Sequence, residues 1–162
     1  MREALGRSRG GYGAKACVIA DGRGRALGFA LAPGQAHEAP LAPDLVDRLP
    51  GVPAWVVGDL GYASDSLRAL IWDLRARPAT PPRRTDAPVA CPPWIYDNRH
   101  LVENLWARLK KWRAVATRYE KTARSFLGVI CLATTADWIK LQQALGFLWG
   151  GWIARPVGKS GL

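Results

Sequence analysis

A carboxylate and several cationic side chains share one short segment of this sequence. The segment, YDNRHLVENLWARLKKW, spans residues 96–112 and places Glu103 among four basic residues, Arg99, Arg108, Lys110 and Lys111. In one interpretation, Glu103 neutralises part of a solvated basic face. In the other, the basic face brings a polyanion to the carboxylate.

The pattern of this segment predicts a helix over about residues 96–113. At about 100° per residue, the side chains of Tyr96, Arg99, Glu103 and Lys110 fall within about 60° of one another. A separate apolar stripe is expected to pack inward, and it consists of Leu101, Leu105, Leu109 and Trp112. An Arg99–Glu103 pair on a solvated face would contribute only a few tenths of a kcal/mol. Spacing alone favours the solvated face, because charged runs are usually solvated.

A second candidate carboxylate follows a predicted buried strand. Residues 54–58, AWVVG, form a continuous apolar run of strand length, and Asp59 comes directly after it, before the turn-forming Gly61. Open α/β sheets place functional groups at the carboxyl ends of their strands. Asp59 is therefore a candidate site residue, and a turn residue without chemical function is the alternative.

The elements that must position these side chains predict an α/β fold with mixed strand directions. After an entry loop over residues 1–13, two short apolar runs around the turn DGRG predict a β-hairpin. The remaining predicted elements are a helix over 38–49, the buried strand over 54–58, a helix over 64–77 capped by Ser64, a short strand over 77–80, a Pro-rich connector over 81–93, and helices over 96–113 and 122–147.

Composition limits the class of protein and of partner. The 162 residues suffice for one domain, and 23 Lys and Arg against 13 Asp and Glu give a formal charge of +10 and a pI near 10.2. Such a charge favours a polyanion, either nucleic acid or an acidic membrane surface. The apolar residues 126–154 predict a buried helix and not a membrane span, because Asp137, Lys140, Gln142 and Gln143 interrupt them. Three distant cysteines and the absence of a secretory signal favour a reduced, cytoplasmic protein.

The spacing of Tyr96, Arg99, Glu103 and Lys110 resembles the Tyr-Arg-Glu-Lys signature of the DDE transposases of bacterial insertion sequences. Further segments are similar to the same family in the same order: GRSRGGYGAK at 6–15, LGFALAPGQAHEAP at 27–40, VVGDLGYASDSLR at 56–68 and TRYEKTARSFLGVICLA at 117–133. The resemblance covers about residues 6–140.

This resemblance implies a ribonuclease H-like mixed sheet flanked by helices, with a partial catalytic domain over residues 1–150. Residues 151–162 match no motif of the family and are expected to be an unstructured tail. Asp59 and Glu103 match two of the three catalytic, metal-binding acids, and Tyr96, Arg99 and Lys110 match DNA-binding positions. The implied cofactor is Mg²⁺ or Mn²⁺, with two ions expected only where the triad is complete. The implied DNA partners are transposon terminal repeats and target DNA. The implied protein partner is a second copy in a homodimer or an upstream-frame transposase fragment. No membrane is implied, and the expected location is the bacterial nucleoid.

The family's first catalytic Asp and the central strand that carries it have no counterpart in this sequence. Asp21 is not a replacement, because it lies in the hairpin turn at the far end of the predicted strands. Three accounts remain open: a second reading frame made by frameshifting, a degraded remnant, or a piece that pairs with a separate N-terminal fragment. The sheet is expected to have a gap, or alternatively to close by pairing the hairpin with the Asp59 strand. The function is then either a catalytic fragment that needs the missing Asp or a non-catalytic DNA-binding remnant or inhibitor.

Overall fold

The first three strands form an antiparallel sheet. The computed structural model describes residues 6–8, 11–33, 36–37, 39–117, 120 and 122–149. The strands are β1 (Gly6–Ser8), β2 (Gly11–Ala20) and β3 (Ala26–Pro33), in the order β1-β2-β3. In the turn between β2 and β3, Asp21 Oδ1 accepts hydrogen bonds from the amides of Arg23 and Arg25, each 2.9 Å long. Gly24 follows with φ at +70°, a conformation that glycine adopts without strain.

The predicted hairpin is confirmed, but the predicted entry loop is wrong where it covers β1 and the start of β2. Seven Cα pairs connect β2 and β3, from Ala14 opposite Pro33 to Ala20 opposite Ala26. β1 pairs only with residues 11–13 of β2. The glycines near the N-terminus obscured this strand pairing in the sequence, since glycine is depleted in strands. The expected tail over residues 151–162 lies outside the described ranges.

A parallel strand pair with a helical crossover forms the second sheet. Strand β4 (Trp55–Val57) pairs with β5 (Arg77–Ala79), and helix α2 (Asp65–Asp73) connects them. Ser64 caps α2 as predicted, because its Oγ accepts a hydrogen bond from the Leu67 amide at 3.2 Å. The helix ends four residues earlier than predicted, since Arg75 takes the left-handed conformation (φ 62°) that turns the chain into β5.

The predicted helix over residues 96–113 is divided into shorter pieces. A turn of helix, α3 (Pro93–Tyr96), is followed by a 3₁₀ turn (Asp97–Arg99), by α4 (His100–Leu109) and, after another turn, by α5 (Arg113–Thr117). Proline at the start of α3 suits the first helical position. The other helices are α1 (Ala42–Val46), which follows a 3₁₀ turn (Ala39–Leu41), and the long α6 (Ala123–Trp149).

Two groups of buried side chains hold these layers together. The hairpin, α4, α5 and α6 share one apolar cluster, in which Leu105, Leu109 and Ile130 are fully buried. The second cluster joins α1 and α2 to the residues that precede β5, around Ile71. Leu105 and Leu109 are thus buried as predicted, whereas Trp112 is 43% exposed because α4 ends before it.

The described strands belong to a mixed α/β fold with two separate small sheets. Closure of the sheet by direct pairing of the hairpin with β4 is not found among the described residues, since β4 pairs with β5 and β2 with β1 and β3. Within the same ranges, no helix combines the length and the apolar character that crossing a bilayer requires.

Candidate functional site

The end of β4 positions Asp59. The Gly58 amide donates to the carbonyl of Ala79 at 3.2 Å and extends the strand pairing by one residue. Asp59 then caps a 3₁₀ turn (Leu60–Tyr62), and its Oδ1 accepts a 2.8 Å hydrogen bond from the Gly61 amide. This bond uses one carboxylate oxygen of an exposed residue, so the other oxygen remains accessible to a ligand.

Gly58 is required by the close approach of its neighbours. A Cβ atom at this position would lie 3.1 Å from Thr80 Cγ2 and 3.2 Å from Tyr62 Cβ, tighter than ordinary van der Waals contacts. The glycine lets β4, the turn after Asp59 and the end of β5 meet closely. The direction in which the chain leaves β4 at Asp59 therefore depends on this residue.

The first turn of α4 positions Glu103. Its side chain is exposed, while Leu105 and Leu109 on the same helix are fully buried and fix the helix against the hairpin and α6. A carboxylate in the first turn of a helix is also favoured by the helix dipole. The helix thus presents Glu103 outward from a rigid support.

The turn before α4 positions Arg99 and Tyr96. The guanidinium carbon of Arg99 lies 5.3 Å from the ring centroid of Tyr96, within the range of a cation–π contact. Asn98, which the sequence did not single out, donates to the carbonyls of Trp94 (3.0 Å) and Ile95 (3.1 Å). Its position in the sequence, next to Arg99, could have identified it as a supporting residue. Its hydrogen bonds stabilise the turn that contains Arg99.

One cavity of about 750 Å³ contains Asp59, Glu103 and Arg99. The cavity lies between β2 and β4, and residues of α1 and α4 complete its walls. Tyr96 and Lys110 are not among its described lining residues. Tyr96 contacts Arg99, which lines the cavity, and Lys110 is exposed in the turn that ends α4.

A third acid, Asp21, lines the same cavity, but both of its carboxylate oxygens accept hydrogen bonds within the hairpin turn. Besides the two backbone amides, the guanidinium of Arg25 donates to Asp21 Oδ2 at 2.7 Å and 2.6 Å. Partial burial acts to raise the pKa of Asp21, but the hydrogen bonds from Arg25 and Arg23 outweigh it and hold the pKa below its ordinary value. The sequence reasoning discounted Asp21 as a catalytic acid, and these bonds give a physical reason for its structural role.

The donor set suits a hard divalent cation only in part. Mg²⁺ and Mn²⁺ prefer carboxylate oxygens, and Asp59 and Glu103 are exposed carboxylates on one cavity. Neither forms an ion pair with another described residue. Among the described residues, no group of three or more His, Cys, Asp and Glu side chains could hold a metal ion. The arrangement therefore places two exposed carboxylates and one cation, Arg99, on the same cavity.

Comparisons with known proteins agree on one family. Two models described as transposase DDE domains match the chain, one over residues 56–140 and the other over residues 4–89. A protein of Brucella ovis named "Putative transposase for insertion sequence element IS6501" is 33% identical over 125 residues, which cover 76% of this chain and 95% of that protein. No solved structure matches the chain.

Proposed function

The chain belongs to the DDE transposases of insertion sequences, and from that premise we propose that it supplies part of a site for cleaving and joining DNA. Asp59 and Glu103 are proposed as two of the acids that bind divalent metal at this site. The observation that carries the proposal is that one cavity holds both carboxylates and Arg99, although the acids come from different elements.

The two acids have the chemistry that phosphodiester transfer requires. Divalent cations held by carboxylates activate a water or a 3′-hydroxyl for in-line attack and stabilise the leaving oxygen. Asp59 and Glu103 would hold the ions, since both are exposed and supply hard oxygen donors. The fixed ends of β4 and α4 support them, and the buried side chains behind α4 limit the movement of Glu103.

The basic residues have a separate role in binding the DNA. Arg99 is the cation nearest to Glu103 in sequence and lines the cavity of both acids, so its guanidinium is proposed to bind a phosphate next to the scissile bond. Tyr96 restricts Arg99 by the cation–π contact. Lys110, exposed at the far end of α4, is proposed to contact the DNA backbone away from the reacting phosphate.

The proposed site needs a third carboxylate that the described residues do not bring to Asp59 and Glu103. We propose that the product of an upstream reading frame supplies it and that the isolated chain cleaves DNA poorly. The alternative function is a DNA-binding protein without catalysis, or an inhibitor of transposition, and the net charge of +10 would serve DNA binding in that case too. Two copies acting on paired transposon ends at the nucleoid are the expected assembly in either case.

Metal binding separates the catalytic assignment from a purely structural one. Titration of the chain with Mn²⁺, followed by electron paramagnetic resonance of the free ion, should detect a site that Asp59→Asn or Glu103→Gln weakens at least about tenfold. Asp97→Asn is the matched control, because Asp97 is an exposed acid just before α4 that does not line the cavity. If all three variants bind Mn²⁺ like the original chain, Asp59 and Glu103 do not form the site.

Cleavage of DNA separates the two candidate functions. Nicking of a supercoiled plasmid that carries the terminal repeats is measured in Mg²⁺ or Mn²⁺, with and without the product of an overlapping upstream frame. The catalytic proposal expects nicking with the upstream product and its loss in Glu103→Gln. Binding without nicking in both mixtures would support the non-catalytic alternative, and nicking that survives Glu103→Gln would refute the assignment of Glu103.

DNA affinity tests the role of Arg99. With a net charge of +10, the chain should bind duplex DNA with an affinity that falls steeply with salt. Arg99→Ala should lower the affinity and reduce the slope of log K against log salt by about one, as the loss of one phosphate contact predicts. Arg48→Ala, an exposed arginine outside this cavity, is the control. Equal effects of the two variants would assign Arg99 to a general basic surface.

A further inference from the structure

An almost fully buried arginine on α2 joins this helix to the chain that follows β5. Arg68 is only 6% exposed. Its Nε donates to Thr80 Oγ1 at 3.1 Å, and its Nη2 donates to the carbonyl of Pro81 at 3.2 Å. Its Nη1 donates to the carboxylates of Asp65 at 3.0 Å and Asp86 at 3.3 Å. A buried charge needs such partners, and most of them lie on the residues just after β5.

The residues after β5 form a turn that this guanidinium fixes. We name residues 83–86 the connector turn. Asp86 Oδ2 accepts a hydrogen bond from the Arg83 amide at 2.9 Å as well as those from Arg68, and the Asp86 amide donates to the Arg83 carbonyl at 3.0 Å. The hydrogen bonds from Arg83 and Arg68 hold the pKa of Asp86 below its ordinary value, so the carboxylate stays charged as their acceptor.

The connector turn presents two cationic side chains to solvent. Arg83 and Arg84 are both exposed, and neither guanidinium forms an ion pair with a described carboxylate. Asp86, the acid of the same turn, is bonded to the Arg68 guanidinium and to a backbone amide instead. Two neighbouring guanidinium groups on a fixed backbone are suited to bidentate contacts with phosphate oxygens.

The connector turn follows the strand end that lies beside Asp59. Because β4 and β5 are parallel, the chain leaves both strands at the same edge of their sheet. The two exits are in close contact, since a Cβ atom on Gly58 would lie 3.1 Å from Thr80 Cγ2. Thr80 and Asp59 also line the same cavity. A polyanion that reaches Asp59 therefore comes close to the start of the connector.

We propose that the connector turn is a phosphate-binding element, in which Arg83 and Arg84 contact the DNA backbone on the β5 side of Asp59. Arg68 and Asp86 are positioning residues, because they act by fixing the turn. The proposal rests on the proposed function, which brings DNA to the cavity of Asp59. The backbone would then be held at two places, by Arg99 before α4 and by the connector turn after β5.

Replacement of Asp86 separates positioning from net charge. Asp86→Ala removes the hydrogen bonds that hold the connector turn and raises the formal net charge of +10 by one. Added positive charge alone would strengthen DNA binding, whereas release of the turn weakens it. Fluorescence anisotropy of a labelled DNA duplex without divalent metal should show binding about threefold to tenfold weaker, as expected for the loss of a charge-assisted contact. Asp73→Ala, which removes an exposed acid from α2, is the control and should bind no more weakly than the original chain.

Removal of the two arginines tests whether the positioning residues act through them. The combined change Arg83→Ala and Arg84→Ala should reduce the slope of log K against log salt by about two, as the loss of two phosphate contacts predicts. In that background Asp86→Ala should cause no further weakening, because the turn no longer carries a phosphate ligand. Arg68→Lys keeps the charge but lacks the planar fork, so it should weaken binding in the original chain and not in the double-alanine background.

The outcomes distinguish this inference from the proposed function. The inference is wrong if Asp86→Ala binds DNA as tightly as Asp73→Ala, or if it weakens binding equally with and without the two arginines. Weaker binding by Arg99→Ala together with normal binding by Asp86→Ala would leave the proposed function standing and overturn the connector turn alone. The reverse result would support the connector turn and remove Arg99 from the DNA site. A chain that binds no duplex DNA would overturn both.

Discussion

Replacing Arg108 by methionine should destabilise the fold more than any surface change of similar size. Arg108 Nε donates to both oxygens of Asp137 at 2.9 Å and 3.1 Å. Its Nη2 donates to Asp137 Oδ2 at 3.1 Å and to the Gly24 carbonyl at 2.6 Å. One guanidinium thereby joins α4, α6 and the hairpin turn.

The size of the effect follows from the unequal exposure of the two partners. The Asp137 side chain is 11% exposed and that of Arg108 is 29% exposed. Arg108→Met leaves a nearly buried carboxylate without this partner. Breaking a fully buried ion pair in this way costs about 3–5 kcal/mol. We expect a cost at the lower end of that range, because Asp137 retains some solvent contact. Asp137→Asn keeps one acceptor oxygen for Arg108 but replaces the other by an NH₂ group, so it loses the assistance of charge and one arm of the contact, about 1–2 kcal/mol.

Urea unfolding followed by circular dichroism measures both variants. Arg124→Met is the matched control, since Arg124 is an exposed arginine on α6 and its replacement should stay within about 0.5 kcal/mol. The double variant Arg108→Met with Asp137→Leu should recover much of the loss, because no buried charge remains. Equal losses for Arg108→Met and Arg124→Met, or a larger loss for Asp137→Asn than for Arg108→Met, would refute the assignment of this ion pair.

Two further predictions concern the hairpin turn and the approach to Asp59. The depressed pKa of Asp21 means that its carboxylate stabilises the fold above its ordinary pKa of 3.8, and that this contribution is lost as the pH falls through the lower folded value. Asp21→Asn should therefore be less stable than the original chain at neutral pH in urea unfolding. If the difference in the free energy of unfolding between the two chains does not shrink below pH 3.8, the direction of the pKa shift is wrong. Gly58→Ala should cost about 1–3 kcal/mol by overpacking against Thr80 and Tyr62. Gly51→Ala, which meets no atom within 4 Å, should be nearly neutral in the same assay, and equal stability of the two alanine variants would show that the contact relaxes freely.

Local patterns predicted the elements whose signals lie within a few residues. The turn DGRG gave the hairpin, and Ser64 gave the start of α2. The division of the helix over residues 96–113 was not predictable in this way. α4 ends at Leu109, the last residue of the helix that is buried in the core, and Trp112 beyond it stays partly exposed. Propensity decides little at such a boundary, and tertiary packing decides it instead.

The candidate site was predictable by residue type, but its surroundings were not. Asp59 and Glu103 stand out in the sequence, and both line one cavity. That Asp21 lines the same cavity depends on how the hairpin lies relative to β4, a long-range arrangement that no local pattern contains. The hydrogen bond from Arg25 to Asp21 likewise forms only in the folded turn, and the sequence does not reveal it.

The two candidate acids belong to different halves of the fold, so the proposed metal site depends on how these halves lie relative to one another. Asp59 ends a strand that packs with the cluster around Ile71, whereas Glu103 lies on α4, which packs on the hairpin and α6. The cavity between β2 and β4 separates these halves, so the separation of the carboxylates depends on the width of this cavity. A DNA backbone bound by Arg99 at the same cavity would restrict that width. Because coupling between two binding events is reciprocal, DNA that tightens metal binding must itself bind more tightly when Mn²⁺ is present, and by the same factor.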